Sequence, residues 1–152
     1  REQVEAEVVG HSGLGPDVVL QQPQLGTGHA VLQARAALAG FDGKILVLYG
    51  DAPLVPAATM QRLLDALSGD VAVAVLGFRP ADPGAYGRII ATDGAIEKMV
   101  EFKDANARER AETLCNSGLM AVHSRDLFAL IARVTDNNAA GEYYLPDVVG
   151  LA

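Results

Sequence analysis

Apolar positions along this chain fall into alternating runs. Val4 and Val8 share one face of a helix over residues 1–9, and Gly10 to Pro16 read as a loop. Asp17-Val18-Val19-Leu20-Gln21 predicts a short apolar strand. Thr27 to Leu38 is rich in good helix formers and offers Val31, Leu32 and Leu38 for packing. Lys44-Ile45-Leu46-Val47-Leu48-Tyr49 is apolar on both faces, as a strand inside a covered sheet must be. Ala57 to Leu67 sets Met60, Leu63, Leu64 and Leu67 at helical spacing, and Val71 to Phe78 predicts another buried strand.

This β-α-β-α-β rhythm, with crossovers of roughly 20 residues, predicts a right-handed, mostly parallel sheet with helices on both faces. Beyond Phe78 the pattern changes. Residues 87–91 and 95–100 flank Thr92-Asp93-Gly94 and predict a hairpin on an Asp-Gly turn. A polar helix is expected over about residues 105–112, then an apolar strand over 115–122 and a helix over 125–133 capped by Ser124. No repeat or linker interrupts the series. One Rossmann-like α/β domain with an inserted hairpin is the expected architecture.

With 152 residues, half of them apolar and a fifth charged, the chain can bury one sizeable core. Its net charge of −7 argues against a broad footprint on nucleic acid or an anionic membrane. A nucleotide held in one cleft by a metal and backbone amides stays open. No apolar run approaches the ~20 residues that span a bilayer, so a cytoplasmic protein is expected. A single cysteine, Cys115, excludes an internal disulfide. The chain opens without Met in what reads as a helix under way, and residues 145–152 read as an apolar helix cut short. Both ends suggest a fragment.

Two loops carry candidate chemistry. In Gln21-Gln22-Pro23-Gln24-Leu25-Gly26-Thr27-Gly28-His29-Ala30, two glycines flank a Thr between a strand and a helix. Either backbone amides there face an anion or a base edge, or Thr27 simply caps the helix. In Tyr49-Gly50-Asp51-Ala52-Pro53-Leu54, an Asp follows a buried strand. It either holds a divalent cation, for which Mg²⁺ is suited, or makes a turn before Pro53. His29 and His123 lack ligand partners at metal spacing, Cys115 reads as a buried neighbour of Asn116, and Arg108-Glu109-Arg110 reads as a solvated face.

Together the segments carry a resemblance. Q-L-G-T-G-H-A-V precedes V-L-Y-G-D-A-P-L. Ala85-Tyr86-Gly87-Arg88-Ile89-Ile90, Ile96 to Asp104, Cys115-Asn116-Ser117-Gly118 and Asn137 to Leu145 follow in order. This series resembles the nucleotide-sugar pyrophosphorylases, above all the uridylyltransferase half of the bacterial bifunctional UDP-N-acetylglucosamine pyrophosphorylases, over essentially the whole chain. The resemblance implies the nucleotide-diphospho-sugar transferase fold. It also implies uridylyl transfer from UTP to N-acetylglucosamine 1-phosphate, giving UDP-N-acetylglucosamine and pyrophosphate for cell-envelope synthesis.

By the same resemblance, Gln21, Gly26 and Thr27 hold the uracil. Tyr49, Gly50 and Asp51 lie along the nucleotide and sugar, with Asp51 the catalytic Mg²⁺ ligand, and Gly87, Glu101 and Asn116 bind the sugar. Ser117 and Pro146 stand where the family usually has Thr. The family's Gly-rich phosphate loop with its Arg and Lys, a second metal ligand, and a left-handed β-helix acetyltransferase half that forms its homotrimer have no counterpart in these residues. Little activity is therefore expected of the chain alone. Thymidylyl or guanylyl transfer and a non-catalytic nucleotide-sugar-binding domain stand as alternatives. A glycosyltransferase is disfavoured, because Tyr49-Gly50-Asp51-Ala52-Pro53 is not an Asp-x-Asp motif.

Overall fold

The computed structural model describes residues 5–8, 10 and 16–152. Residues 5–8 are helical, whereas Val4 and most of the expected loop over residues 10–16 lie outside the described residues. The chain continues as α1 (Thr27–Leu32), which tightens into a 3₁₀ turn (Gln33–Arg35), then β1 (Lys44–Val47), α2 (Ala57–Ala66) and β2 (Val73–Phe78). There follow β3 (Arg88–Thr92), β4 (Ala95–Val100), α3 (Ala107–Arg110), β5 (Cys115–His123), α4 (Ser124–Ile131) and α5 (Asp147–Leu151).

β5 is the centre of the sheet. Val122 pairs with Ile45 of β1 and with Val73 of β2, so these two strands flank it on opposite edges. Cys115 pairs with Phe78 of β2 and Arg88 of β3, which brings the β3–β4 hairpin to the β1 edge. Every described pair is antiparallel, so the expected mostly parallel sheet is corrected. The β1-α2-β2 crossover does leave β1 and β2 running the same way. Between them lies a later strand of opposite direction, and a local rhythm of elements carries no information about which strand inserts there.

Asp17 to Gln21 forms no strand among the described residues, and Val18, Val19 and Leu20 are 42–48% exposed. A short apolar run becomes a strand only when a neighbour offers it a ladder, and no described strand lies alongside. The hairpin turns as expected on Asp93 (φ 52°) and Gly94 (φ 84°), two positive φ values that suit the twist of the flanking strands.

Alternate residues of β5 feed two cores, because successive side chains leave opposite faces of a strand. Met120 and Val122 pack with Leu127, Leu130 and Ile131 of α4 and with Leu145 and Val148. Leu119 and Ala121 pack with Leu63 and Leu67 at α2. Helices thus cover both faces of the sheet, as expected. Ser124 does not cap α4. His123 occupies that position without a side-chain bond, and Ser124 Oγ instead accepts from the Gly43 N–H at 3.1 Å. Arg108-Glu109-Arg110 is more than a solvated face: Asn106 and Glu109 form a reciprocal capping box on α3, and Glu109 pairs with Lys98 at 2.5 Å. Among the described residues no helix is long and apolar enough to cross a membrane.

Candidate functional site

The antiparallel register gathers chemistry at one end of the sheet. β1, β2 and β4 finish there, while β3 and β5 begin there. An open cleft of about 670 Å³ at this end is lined by Tyr49 and Asp51 after β1, Phe78 closing β2, Gly87 before β3, Glu101 after β4 and Asn116 opening β5. Thr27 at the start of α1 and Glu142 and Tyr144 before α5 complete the wall. A second cavity of about 650 Å³, between β2, the hairpin and α5, is lined mostly by aliphatic and small residues, with Asp70 its one ionisable group. Its lining offers little chemistry.

The cleft is built by close approaches. Gly118 lies in β5 with φ +82°, and a Cβ there would collide with the Tyr49 ring. Opposite it the β2–β5 register shifts, and Ser117 Oγ bridges the irregularity, donating to Leu76 O at 2.7 Å and accepting from Leu119 N at 3.2 Å. Asn116 Oδ1 accepts from the Gly118 N–H at 2.9 Å, while the Asn116 backbone N–H donates to Gly87 O at 2.9 Å. Glu101 rests on Gly87.

The glycine loop is zipped to the segment before α5. Leu25 O accepts from Tyr143 N, Gly28 N donates to Tyr143 O, and Thr27 Oγ1 accepts from Leu145 N at 2.9 Å. A Cβ on Gly26 (φ +105°) would stand 2.8 Å from Tyr143 O, and one on Gly28 3.0 Å from it. Both glycines are therefore required by packing, and the Gly28 amide is used by the protein itself. Gly26, not Thr27, is the residue that caps α1.

Of the residues singled out in the sequence, Thr27, Tyr49, Asp51, Gly87, Glu101 and Asn116 share this cleft. Gln21, Gly26 and Gly50 do not line it. Gln21 Nε2 donates to Gly26 O at 2.9 Å and lies 3.2 Å from His29 Nδ1, which fixes the amide orientation and makes Oε1 the acceptor. Gly50 has open space where a Cβ would be, so packing does not require glycine there. Tyr86, Phe78, Glu142 and Tyr144 are wall residues that sequence reasoning missed. Tyr86 and Phe78 meet edge to face, centroids 4.9 Å apart. The signal for Tyr86 and for Glu142 and Tyr144 lay in the A-Y-G-R and E-Y-Y stretches, which were read as likeness and not as contacts.

Electrostatically the wall is one-sided. Asp51, Glu101 and Glu142 line it, and among the described residues no Lys, Arg or His does. Burial raises the Glu101 carboxyl above its ordinary range, and the Asp147 and Asp104 charges push it further. Asp147 is itself raised by burial and then by Asp104. Burial also raises the Tyr49 phenol, against the opposing effect of a hydrogen bond with Thr27. Among the described residues no group of three or more His, Cys, Asp or Glu could hold a metal. Asp51 is exposed and supplies a single carboxylate, a donor set that fits a hard cation completed by phosphate oxygens and water.

A family model described as MobA-like NTP transferase domain matches residues 3–143. Among curated relatives, bifunctional protein GlmU from Rhizorhabdus wittichii is 62% identical over 155 residues, covering 100% of this chain and 34% of that protein. Bifunctional protein GlmU from Zymomonas mobilis subsp. mobilis is 55% identical over 155 residues, with the same coverage. The chain thus spans about a third of the length of these relatives. A solved UDP-glucose pyrophosphorylase complexed with UDP-glucose superposes with a TM-score of 0.69 at 17% identity, covering 99% of this chain and 59% of that one. That likeness establishes the fold: α/β, with an open sheet.

Proposed function

Because this chain belongs to the MobA-like NTP transferase domain family, we propose that its cleft holds a nucleotide sugar and that the longer protein carrying it is a uridylyltransferase. In the proposed reaction the phosphate oxygen of N-acetylglucosamine 1-phosphate attacks the α-phosphorus of UTP. The bond from that phosphorus to the bridging oxygen breaks, and pyrophosphate leaves with UDP-N-acetylglucosamine as product. The observation that carries this reading is the convergence of Thr27, Tyr49, Asp51, Gly87, Glu101 and Asn116, from five separate segments, on one cleft. The relatives at 55–62% identity, each named bifunctional protein GlmU, support the same choice of substrates.

In this reading Gly87, Glu101 and Asn116 face the sugar, Glu101 accepting from a hydroxyl. Gln21, Gly26 and Thr27 stand on the base side, where the Gln21 side-chain oxygen is an acceptor that suits the N3–H donor of uracil. Tyr49 and Gly50 run between the two. Placing the two phosphates in line is most of what such a transfer requires. Asp51 would hold Mg²⁺, which when bound draws charge from the phosphate oxygens. By the resemblance, the groups opposing the triphosphate, an acetyltransferase half and a homotrimer interface would be supplied by other parts of the longer protein. A cytoplasmic location goes with these substrates.

The test is pyrophosphate release by the full-length protein with UTP and N-acetylglucosamine 1-phosphate, compared with TTP, GTP and other sugar phosphates. Asp51→Ala should abolish most turnover without changing the melting temperature. Preference for another nucleotide or sugar phosphate would overturn the substrate assignment, and unchanged Mg²⁺ dependence in the variant would overturn the role of Asp51.

A further inference from the structure

The wall that carries Gly87 and Glu101 is held from behind by a buried cation. Arg88 is 2% exposed. Its guanidinium is bonded to carbonyls: Nη2 donates to Gly84 O at 3.0 Å, Nη1 to Tyr86 O and to Pro83 O at 3.4 Å, and Nε to Arg110 O at 3.4 Å. Its plane lies 5.3 Å from the centroid of Phe102, and Arg110 lies 4.6 Å from the same ring. No carboxylate among the described residues pairs with it.

Burying a charge without a counter-ion is costly, and an apolar side chain would fill the space at lower cost. What only a guanidinium provides is a rigid fan of donors able to collect several carbonyls at once while lying on a ring. Here three of the four carbonyls belong to the loop that ends in Gly87, the fourth is that of Arg110 at the end of α3, and the ring belongs to the residue after Glu101. We infer that Arg88 is a positioning residue for the sugar side of the cleft, clamping the 83–87 loop to the 101–102 turn so that Gly87 and Glu101 keep their mutual placement. This rests on the reading that the cleft takes a sugar phosphate.

The clamp has a kinetic signature that a general staple lacks, because Arg88's hydrogen bonds and ring contact go to residues 83–86, 102 and 110 and not to the 21–28 loop or Tyr49. In the full-length protein, Arg88→Lys keeps the charge but loses the fan, and Arg88→Met keeps most of the volume. Each should raise KM for the sugar phosphate by about tenfold while KM for the nucleoside triphosphate stays within about twofold, since misplaced substrate contacts cost of this order. Phe102→Leu, which weakens the seat without touching the donors, should raise the same KM by a smaller factor. Introduced into a Glu101→Gln background, Arg88→Lys should add little, because two residues acting through one contact are not additive. Equal changes in both KM values, full additivity with Glu101→Gln, or loss of cooperative melting in Arg88→Lys would each overturn the inference. If the unsubstituted protein uses no sugar phosphate, the reading of the cleft falls. If it does and the variants leave that KM unchanged, only the role of Arg88 falls.

Discussion

The Glu101 carboxylate lies on the backbone of Gly87, where a Cβ would stand 3.2 Å from Oε1 and 3.3 Å from Oε2. Gly87 does not have the left-handed φ that excludes other residues, so alanine meets no backbone strain there. The whole effect of Gly87→Ala falls on Glu101, which must move by a few tenths of an ångström. In the full-length protein the variant should melt within about 1 kcal/mol of the parent yet bind the sugar phosphate several-fold more weakly, as small displacements of positioning groups do. Unchanged KM for the sugar phosphate would remove Gly87 and Glu101 from the sugar's environment.

Glu101 also makes stability depend on pH. Its folded-state pKa is raised above the ordinary value of 4.5, by burial first and then by the charges of Asp147 and Asp104. A raised pKa means that the folded state favours the proton. The associated stability is full below the unfolded value and is lost as pH rises through the folded one. Glu101→Gln mimics the protonated form. It should therefore melt higher than the parent at pH 8, with the gap closing as pH falls through the raised folded-state pKa and gone below about 4.5. Melting curves at the two pH values check this, and a gap independent of pH would contradict it. The same variant should lose sugar-phosphate affinity, so stability and activity move in opposite directions.

Gln21 spends its amide nitrogen inside the loop, on Gly26 O at 2.9 Å. Gln21→Ala removes that brace together with the side-chain oxygen, whereas Gln21→Glu keeps an acceptor and loses the donor. The alanine variant should narrow the preference for UTP over other nucleotides by the worth of one hydrogen bond, about 1 kcal/mol. Competition assays with paired nucleotides measure it. Unaltered preference would place base recognition elsewhere.

The sequence made most elements legible because burial leaves a period. Lys44–Val47, Ala57–Ala66, Val73–Phe78 and the hairpin on Asp93-Gly94 all lie within the runs that predicted them. Direction was not legible. Whether β1 and β2 touch depends on β5, whose sequence says it is buried but not between what. Val18-Val19-Leu20 had strand composition without a partner. For the site, the resemblance named Thr27, Tyr49, Asp51, Gly87, Glu101 and Asn116, and these share one cleft. Composition could not assemble them, since the residues span positions 27 to 116 and meet only through the antiparallel register. The role of Arg88 was not legible, because nothing in a sequence distinguishes an arginine bonded to carbonyls from one in solvent.

The kink that opens β5 offers the sharpest separation of backbone strain from cleft geometry. Gly118 combines φ +82° with a Cβ position inside the Tyr49 ring, while Gly69 has φ +60° with nothing within 4 Å of its Cβ position. Alanine at either site must adopt a left-handed conformation, which costs on the order of 1 kcal/mol. Only at Gly118 must a ring also move, and it belongs to Tyr49, which lines the cleft. Overpacking of this kind adds about 1–3 kcal/mol, so Gly118→Ala should lower stability clearly more than Gly69→Ala. Gly69→Ala should keep full turnover, because it lies just beyond α2 and away from the cleft. Gly118→Ala should lose turnover even at temperatures where it is fully folded, since Tyr49 cannot keep its place. Melting curves and pyrophosphate release on the two full-length variants decide the matter. Equal losses of stability with normal turnover in both would show that the Tyr49 ring yields without cost and that its contact with Gly118 does not shape the cleft.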